Sequence, residues 1–105
     1  AKEQWQEARA FLERSKATEL ETSATIHSAL GVVYTKLEMW EKSAEAYKEA
    51  LRMRRRQNEW RFALGHAYAR LGKFREAERK YREILAFSPD DAEAWKALEA
   101  IGRRY

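Results

Sequence analysis

The chain has 105 residues, 45% hydrophobic and 36% charged, which is enough for one small domain with a thin or elongated core and no deep enzyme cavity. Cysteine is absent, which excludes disulfide frameworks, thiolate zinc sites and cysteine nucleophiles; one proline and four glycines are too few turn residues for a β-rich fold. The net charge of +4 is uneven, with seven Lys/Arg against nine Glu in residues 1–51 and fourteen Lys/Arg against eight acids in residues 52–105, so any electrostatic partner preference belongs to the second half.

The first segment sets Lys2, Glu3, Gln4 and Glu7 around Trp5, unlike the basic start and continuous apolar run of a secretory signal, and it is expected to form a helix over about 3–20. The longest uncharged stretch, 22–35, contains Thr, Ser and His and is shorter than the roughly 20 apolar residues of a membrane span. No targeting or membrane segment is seen, and the expected location is cytoplasmic. Leu30, Val33, Tyr34 and Leu37 follow the i, i+3, i+4, i+7 spacing of a helix over about 24–37, and Trp40, Ala44, Tyr47 and Leu51 do the same over about 40–56. Glu38 and Met39 occupy the turn between them. Further helices are expected at about 59–71, 74–87 and 91–104. Gly72 supplies a left-handed residue to the turn before 74, which makes that turn the better formed of the two. Ser88-Pro89-Asp90-Asp91 ends one helix and caps the next, with Asp90 and Glu93 at capping-box spacing. The fold class is all-α, with six helices.

An internal repeat organises these elements. Leu30-Gly31, Tyr34, Leu37, Trp40, Tyr47 and Leu51 recur 34 positions later as Leu64-Gly65, Tyr68, Leu71, Phe74, Tyr81 and Leu85, without a gap. A third copy begins at Leu98. Upstream, Trp5, Ala8 and Leu12 match Trp40, Ser43 and Tyr47 at a spacing of 35, with one residue inserted near 21–23. The chain therefore reads as a single domain: 1–23 an unpaired helix and linker, 24–57 and 58–91 two helix-pair repeats, 92–105 a half-repeat or capping helix.

A 34-residue helix pair with Leu-Gly, Tyr, a small turn residue, an aromatic, Ala and a closing Pro resembles the tetratricopeptide repeat (TPR). The match is strongest in 58–91, at Leu64-Gly65, Tyr68, Gly72, Phe74, Ala77, Tyr81 and Pro89; Ser43, Arg55 and Glu99 depart from the pattern. Glu99 stands where Gly31 and Gly65 let two helices approach, which marks the last helix as an exposed end. The resemblance implies a right-handed solenoid of antiparallel helix pairs, a scaffold and not an enzyme, whose first helices line a concave groove for a peptide or partner helix. On this chain the groove residues would be Ser28, Val32, Lys36, Phe62, His66, Arg70, Lys96, Arg103 and Arg104, with small Ala29, Ala63 and Ala97 among them. Phe62 offers an anchor, and Lys36, Arg70 and Arg104 recur every 34 residues as a basic ladder suited to an acidic or amphipathic partner helix; a solvated rim is the plainer account of the same charges. The family's clamp for acidic chaperone tails uses Lys, Asn and Arg at positions that map to Ser28, Val32, Ala63, Glu93 and Ala97 here, and none of these matches.

Arg52, Arg54, Arg55 and Arg56 form the densest charge run, read as a helix C-terminus favouring cations; without interleaved aromatics, nucleic-acid binding is not expected. His27 and His66 lie 39 positions apart in no metal-ligand spacing, Asp90 and Asp91 are explained by capping, and no cofactor is expected. Trp5, Trp40, Trp60 and Trp95 fall at helix-packing positions. Besides partner binding, the half-repeats at the two ends raise a second reading, a structural unit that self-associates head to tail or a fragment of a longer array.

Overall fold

The computed structural model describes residues 2–18 and 23–102, with the backbone alone at 15–18. It contains six helices: α1 (Lys2–Thr18), α2 (Ala24–Lys36), α3 (Trp40–Met53), α4 (Asn58–Arg70), α5 (Phe74–Phe87) and α6 (Ala92–Gly102). Among the described residues there is no strand. Substantial packing occurs only between helices consecutive in sequence. The result is a row with principal extents of 41 × 27 × 19 Å, as expected when each repeat can bury its apolar face only against its neighbours.

Local chemistry sets the helix ends. Ser23 caps α2 by accepting a hydrogen bond at Oγ from the Ile26 N–H (3.2 Å). At the other end Glu38 takes a left-handed conformation, φ 58°, and the Met39 N–H reaches the Tyr34 carbonyl at 2.8 Å. One repeat later Gly72 has φ 77° and the Lys73 N–H reaches Tyr68 O, also at 2.8 Å. The two turns are thus equally well formed, contrary to the sequence expectation. They differ in conformational cost, because a side chain disfavours left-handed backbone and glycine does not.

Two other boundaries depart from expectation. Before α6 the cap is Asp91 rather than Asp90: its Oδ1 accepts from the Ala94 N–H at 3.0 Å, so the Asp90–Glu93 box is not used. Helix α3 ends at Met53, with Arg54 extended (φ −133°, ψ 102°), so only Arg52 of the arginine run lies in the last turn. Arg52 pairs with Glu49 through Nε (2.8 Å), while the Arg55 carbonyl accepts from Arg61. Arg61 is buried. Its guanidinium also meets Asn58 Oδ1 (3.3 Å) and Glu83 Oε1 (3.5 Å) and lies 4.8 Å from the Phe87 ring centroid, tying the 54–57 connection to α5.

Core clusters follow the repeat. One joins Ala44, Tyr47 and Leu51 to Leu64 and Ala67; another joins Ala77, Tyr81 and Ile84 to Ala94 and Ile101; a third holds Leu30, Tyr34 and Ala46, with Leu12 of α1 against it. Gly31 and Gly65 sit where paired helices are closest: a Cβ on Gly31 would lie 2.7 Å from the Tyr47 ring, and one on Gly65 2.8 Å from that of Tyr81. Ser43 departs from the repeat's alanine without leaving a buried polar orphan, since its Oγ lies 2.7 Å from Thr35 Oγ1 and 3.3 Å from the Gly31 carbonyl. Trp5, Trp40 and Trp60 are half-buried at helix contacts, but Trp95 is 55% exposed, held only by its Nε1–H donating to the Pro89 carbonyl at 2.8 Å. Its expected packing role is not met, because α6 packs on α5 alone.

Candidate functional site

One face of each odd-numbered repeat half, α2, α4 and α6, turns to solvent in a common register. Residues four, three and four apart fall on one helical stripe: Thr25, Ala29, Val32 and Lys36 on α2; Glu59, Ala63, His66 and Arg70 on α4; Glu93, Ala97 and Ala100 on α6. The outer members of each stripe are exposed, whereas Ala29, Ala63 and Ala97 are half-buried and form a low floor. Charge is polarised across the stripes. Glu59 and Glu93 lie at the helix starts and Lys36 and Arg70 at the helix ends, each sign at the end where the helix dipole favours it.

The basic edge is held by aromatic rings of neighbouring helices. Arg70 Cζ lies 5.2 Å from the Trp40 ring centroid and Lys36 Nζ lies 5.9 Å from that of Trp5, so two equivalent cation–aromatic contacts repeat along the molecule. Trp40 also meets the His66 ring edge-on, with centroids 5.3 Å apart and planes at 80°. His66 and Arg70 are one turn apart on α4 and thus share one indole. Burial, reinforced by the Arg70 charge, lowers the His66 pKa below its ordinary value, leaving Arg70 as the fixed positive charge of this cluster at neutral pH. Among the described residues no carboxylate lies within ion-pair distance of Lys36 or Arg70, so their donors face solvent.

Beneath Lys36 the first pair is fastened to α1 by a short polar chain. The Tyr34 hydroxyl donates to Glu13 Oε2 at 2.6 Å, and Arg9 Nε donates to the same oxygen at 3.2 Å. The Tyr34 hydrogen bond, aided by Arg9, holds the Glu13 carboxyl below its usual range; burial, then the bond to Glu13, pushes the Tyr34 phenol up to about 12.

Of the residues expected from sequence, Val32, Lys36, His66, Arg70 and Lys96 are exposed on the first helices. Ser28 is half-buried and its hydroxyl donates to the Thr25 carbonyl (3.0 Å). Phe62 is also half-buried, its ring tilted against Tyr81 with centroids 5.4 Å apart, so much of the proposed anchor faces its own helix pair. Arg103 and Arg104 lie outside the described residues. Trp5 and Trp40 were read from sequence as packing residues, and their second role behind the cations was missed. The signal was present, since Lys36 and Arg70 repeat in step with the two tryptophans. Among the described residues no group of three or more His, Asp or Glu lies together as a metal site, and no helix is long and apolar enough to cross a membrane.

Known proteins share this arrangement. A tetratricopeptide repeat family model matches residues 22–90. The Homo sapiens protein O-mannosyl-transferase TMTC1 is 30% identical over 86 residues, which is 82% of this chain but 10% of that protein. Among solved structures, YrrB, described as a TPR protein with an unusual peptide-binding site, superposes with a TM-score of 0.88 at 24% identity over 95% of this chain and 51% of its own. PcrH in complex with the chaperone binding region of PopB superposes with a TM-score of 0.72 at 16% identity over 97% of this chain and 82% of its own. The chain thus spans a small part of the curated relative and about half of YrrB, sharing with them a right-handed solenoid of antiparallel helix pairs. With its 34-residue period, its glycine-to-tyrosine helix contacts and the match over 22–90, the chain belongs to the tetratricopeptide repeat family.

Proposed function

We propose that the exposed stripes of α2, α4 and α6 form a groove that binds a segment of a partner protein, and that Lys36 and Arg70 select carboxylates on that segment. The observation that carries this reading is the pair of cations held over Trp5 and Trp40 with no acidic partner in reach among the described residues. A guanidinium braced on an indole loses less side-chain freedom when it binds than a free one does, and two such groups in register suit acidic residues on an extended strand or one helix face. Val32, Ala63 and Ala97 leave room for apolar contact between those charges. The YrrB and PcrH structures, whose descriptions name a peptide-binding site and a bound chaperone binding region, support a binding module over an enzyme. The departures at Ser28, Val32, Ala63, Glu93 and Ala97 argue against the chaperone-tail clamp.

The test is selection of displayed random peptides on the immobilised chain, followed by a counter-screen on Lys36→Glu/Arg70→Glu. The expected outcome is enrichment of Asp/Glu-rich peptides whose binding weakens with salt and fails on the variant. Enriched peptides that bind wild type and variant equally would remove the basic edge from the function.

A further inference from the structure

Helix α1 stands in the register of a second helix of a pair, and the structure bears this out: Trp5 lies under Lys36 as Trp40 lies under Arg70, and Leu12 packs on Leu30 and Tyr34. Each of α2 and α4 is therefore flanked by a second-type helix on both sides. Helix α6 is flanked by α5 alone, and among the described residues α1 has no first-type helix on its far side. Two exposed aromatics mark these open sides. Phe11 is 62% exposed, whereas Ala46 at the same register is 7% exposed; Trp95 is 55% exposed, whereas Arg61 and His27 at its register are 9% and 7% exposed.

We propose that α1 of a second copy packs on the open side of α6, so that the two helices complete a pair divided between copies and joined head to tail. Transferring the contacts of the internal pairs to this junction exchanges large and small partners across it. Inside the chain, Ala46 clusters with Leu30 and Tyr34; at the junction, Phe11 meets Leu98 and Gly102, and a Cβ on Gly102 would find open space. Inside, the Tyr47 ring fills the space over Gly31; at the junction, Leu12 faces Glu99. The third exchange reverses a charge–aromatic contact. Arg61 of α4 reaches Glu83 and Phe87 of α5, whereas at the junction Trp95 supplies the ring and Arg14, at the register of Glu83, supplies the cation.

Long-range charge acts in the same sense, because the junction brings the half with a balance of −2 against the half with a balance of +6. Every copy carries both surfaces, so the contact is heterologous and propagates into chains instead of closing as a two-fold dimer. The proposal does not rest on the groove reading, since neither Lys36 nor Arg70 takes part.

The absence of cysteine allows a direct test on the full 105-residue chain. Lys42 Nζ lies 5.8 Å from the Tyr34 ring centroid; at the junction these registers are Glu7 of one copy and Gly102 of the other. Glu7→Cys and Gly102→Cys proteins, mixed with oxidised glutathione, are expected to form the mixed dimer in excess over a Lys48→Cys and Gly102→Cys control mixture. Sedimentation of the unmodified chain over roughly a hundredfold concentration range is expected to show a rising mass average, with Phe11→Glu or Trp95→Glu returning it to monomer while far-ultraviolet circular dichroism is unchanged. A constant monomer mass across that range, or cross-linking no greater than in the control, would overturn the proposal whatever the peptide selection shows.

Discussion

Replacing Gly31 by alanine tests the helix-pair geometry most directly. Alanine is favoured over glycine inside a helix by about 1 kcal/mol, so at an unconstrained site the change would stabilise. At Gly31 the new Cβ would stand 2.7, 2.7 and 2.8 Å from three atoms of the Tyr47 ring, and Tyr47 is itself buried between helices. The ring cannot swing into solvent, so α2 and α3 must separate by several tenths of an ångström, an overpacking cost of about 1–3 kcal/mol that outweighs the propensity gain. The net expectation is a loss of about 1 kcal/mol, or about 4 °C in Tm for a chain of this size. Gly65→Ala should cost less, because its Cβ meets Tyr81 at 2.8, 3.0 and 3.2 Å, and Gly102→Ala should cost nothing. Urea melts of the three variants in dilute solution give the ranking, and the Gly31→Ala/Tyr47→Leu double variant should be more stable than the sum of its parts predicts. Should Gly31→Ala equal or exceed the wild type in stability, the close approach at Gly31 would be wrong.

Four other outcomes are expected. Glu38→Gly should stabilise by about 1 kcal/mol by relieving a left-handed glutamate, while Gly72→Ala should destabilise by a similar amount, although nothing crowds that site; thermal melts check both. Asp91→Ala should cost about 1 kcal/mol and Asp90→Ala almost nothing, since only Asp91 caps α6. Tyr34 and Tyr81 both have phenol pKa values pushed up to about 12 in the folded chain, so their contribution to stability is complete below the unfolded value of about 10 and is lost as pH rises toward 12; alkaline unfolding followed by tyrosinate absorbance should begin in that window. Glu13 has the opposite sign: its depressed pKa gives stability above the unfolded carboxylate value that disappears on acidification, and the acid limb of the stability curve should flatten in Tyr34→Phe.

The architecture was legible because the period is carried by residues whose roles are steric. Leu30-Gly31 and Leu64-Gly65 announce the helix contacts and their tyrosines announce what fills them, so spacing alone positions five helix–helix interfaces. The ends of elements were less legible. Asp90 and Asp91 are chemically alike, and the choice of cap depends on a turn in which the Asp91 N–H bonds to the Ser88 carbonyl (3.1 Å). Arg54 departs from the helix because Arg61, six residues beyond Arg55, draws the Arg55 carbonyl out of register, a contact that periodicity does not encode. The site was half legible: the repeat gave Lys36 and Arg70, but which rings lie behind them requires knowing how one pair stacks on the next. Trp95 shows the reverse error, since equivalence predicted burial and only the neighbour it lacks explains its exposure.

The restriction of packing to consecutive helices has a consequence for how such a chain can change length. Cutting between α3 and α4 and inserting or deleting a block of 34 residues would leave every remaining contact with a partner of the same register. A block of 33 or 35 would rotate each later helix by about 100° and bury the wrong face. Gene duplication in this scaffold is therefore nearly free of structural penalty when it keeps the unit whole, and the binding surface lengthens by one step each time. Copy number is then a variable that selection can adjust separately from the residues of any one step.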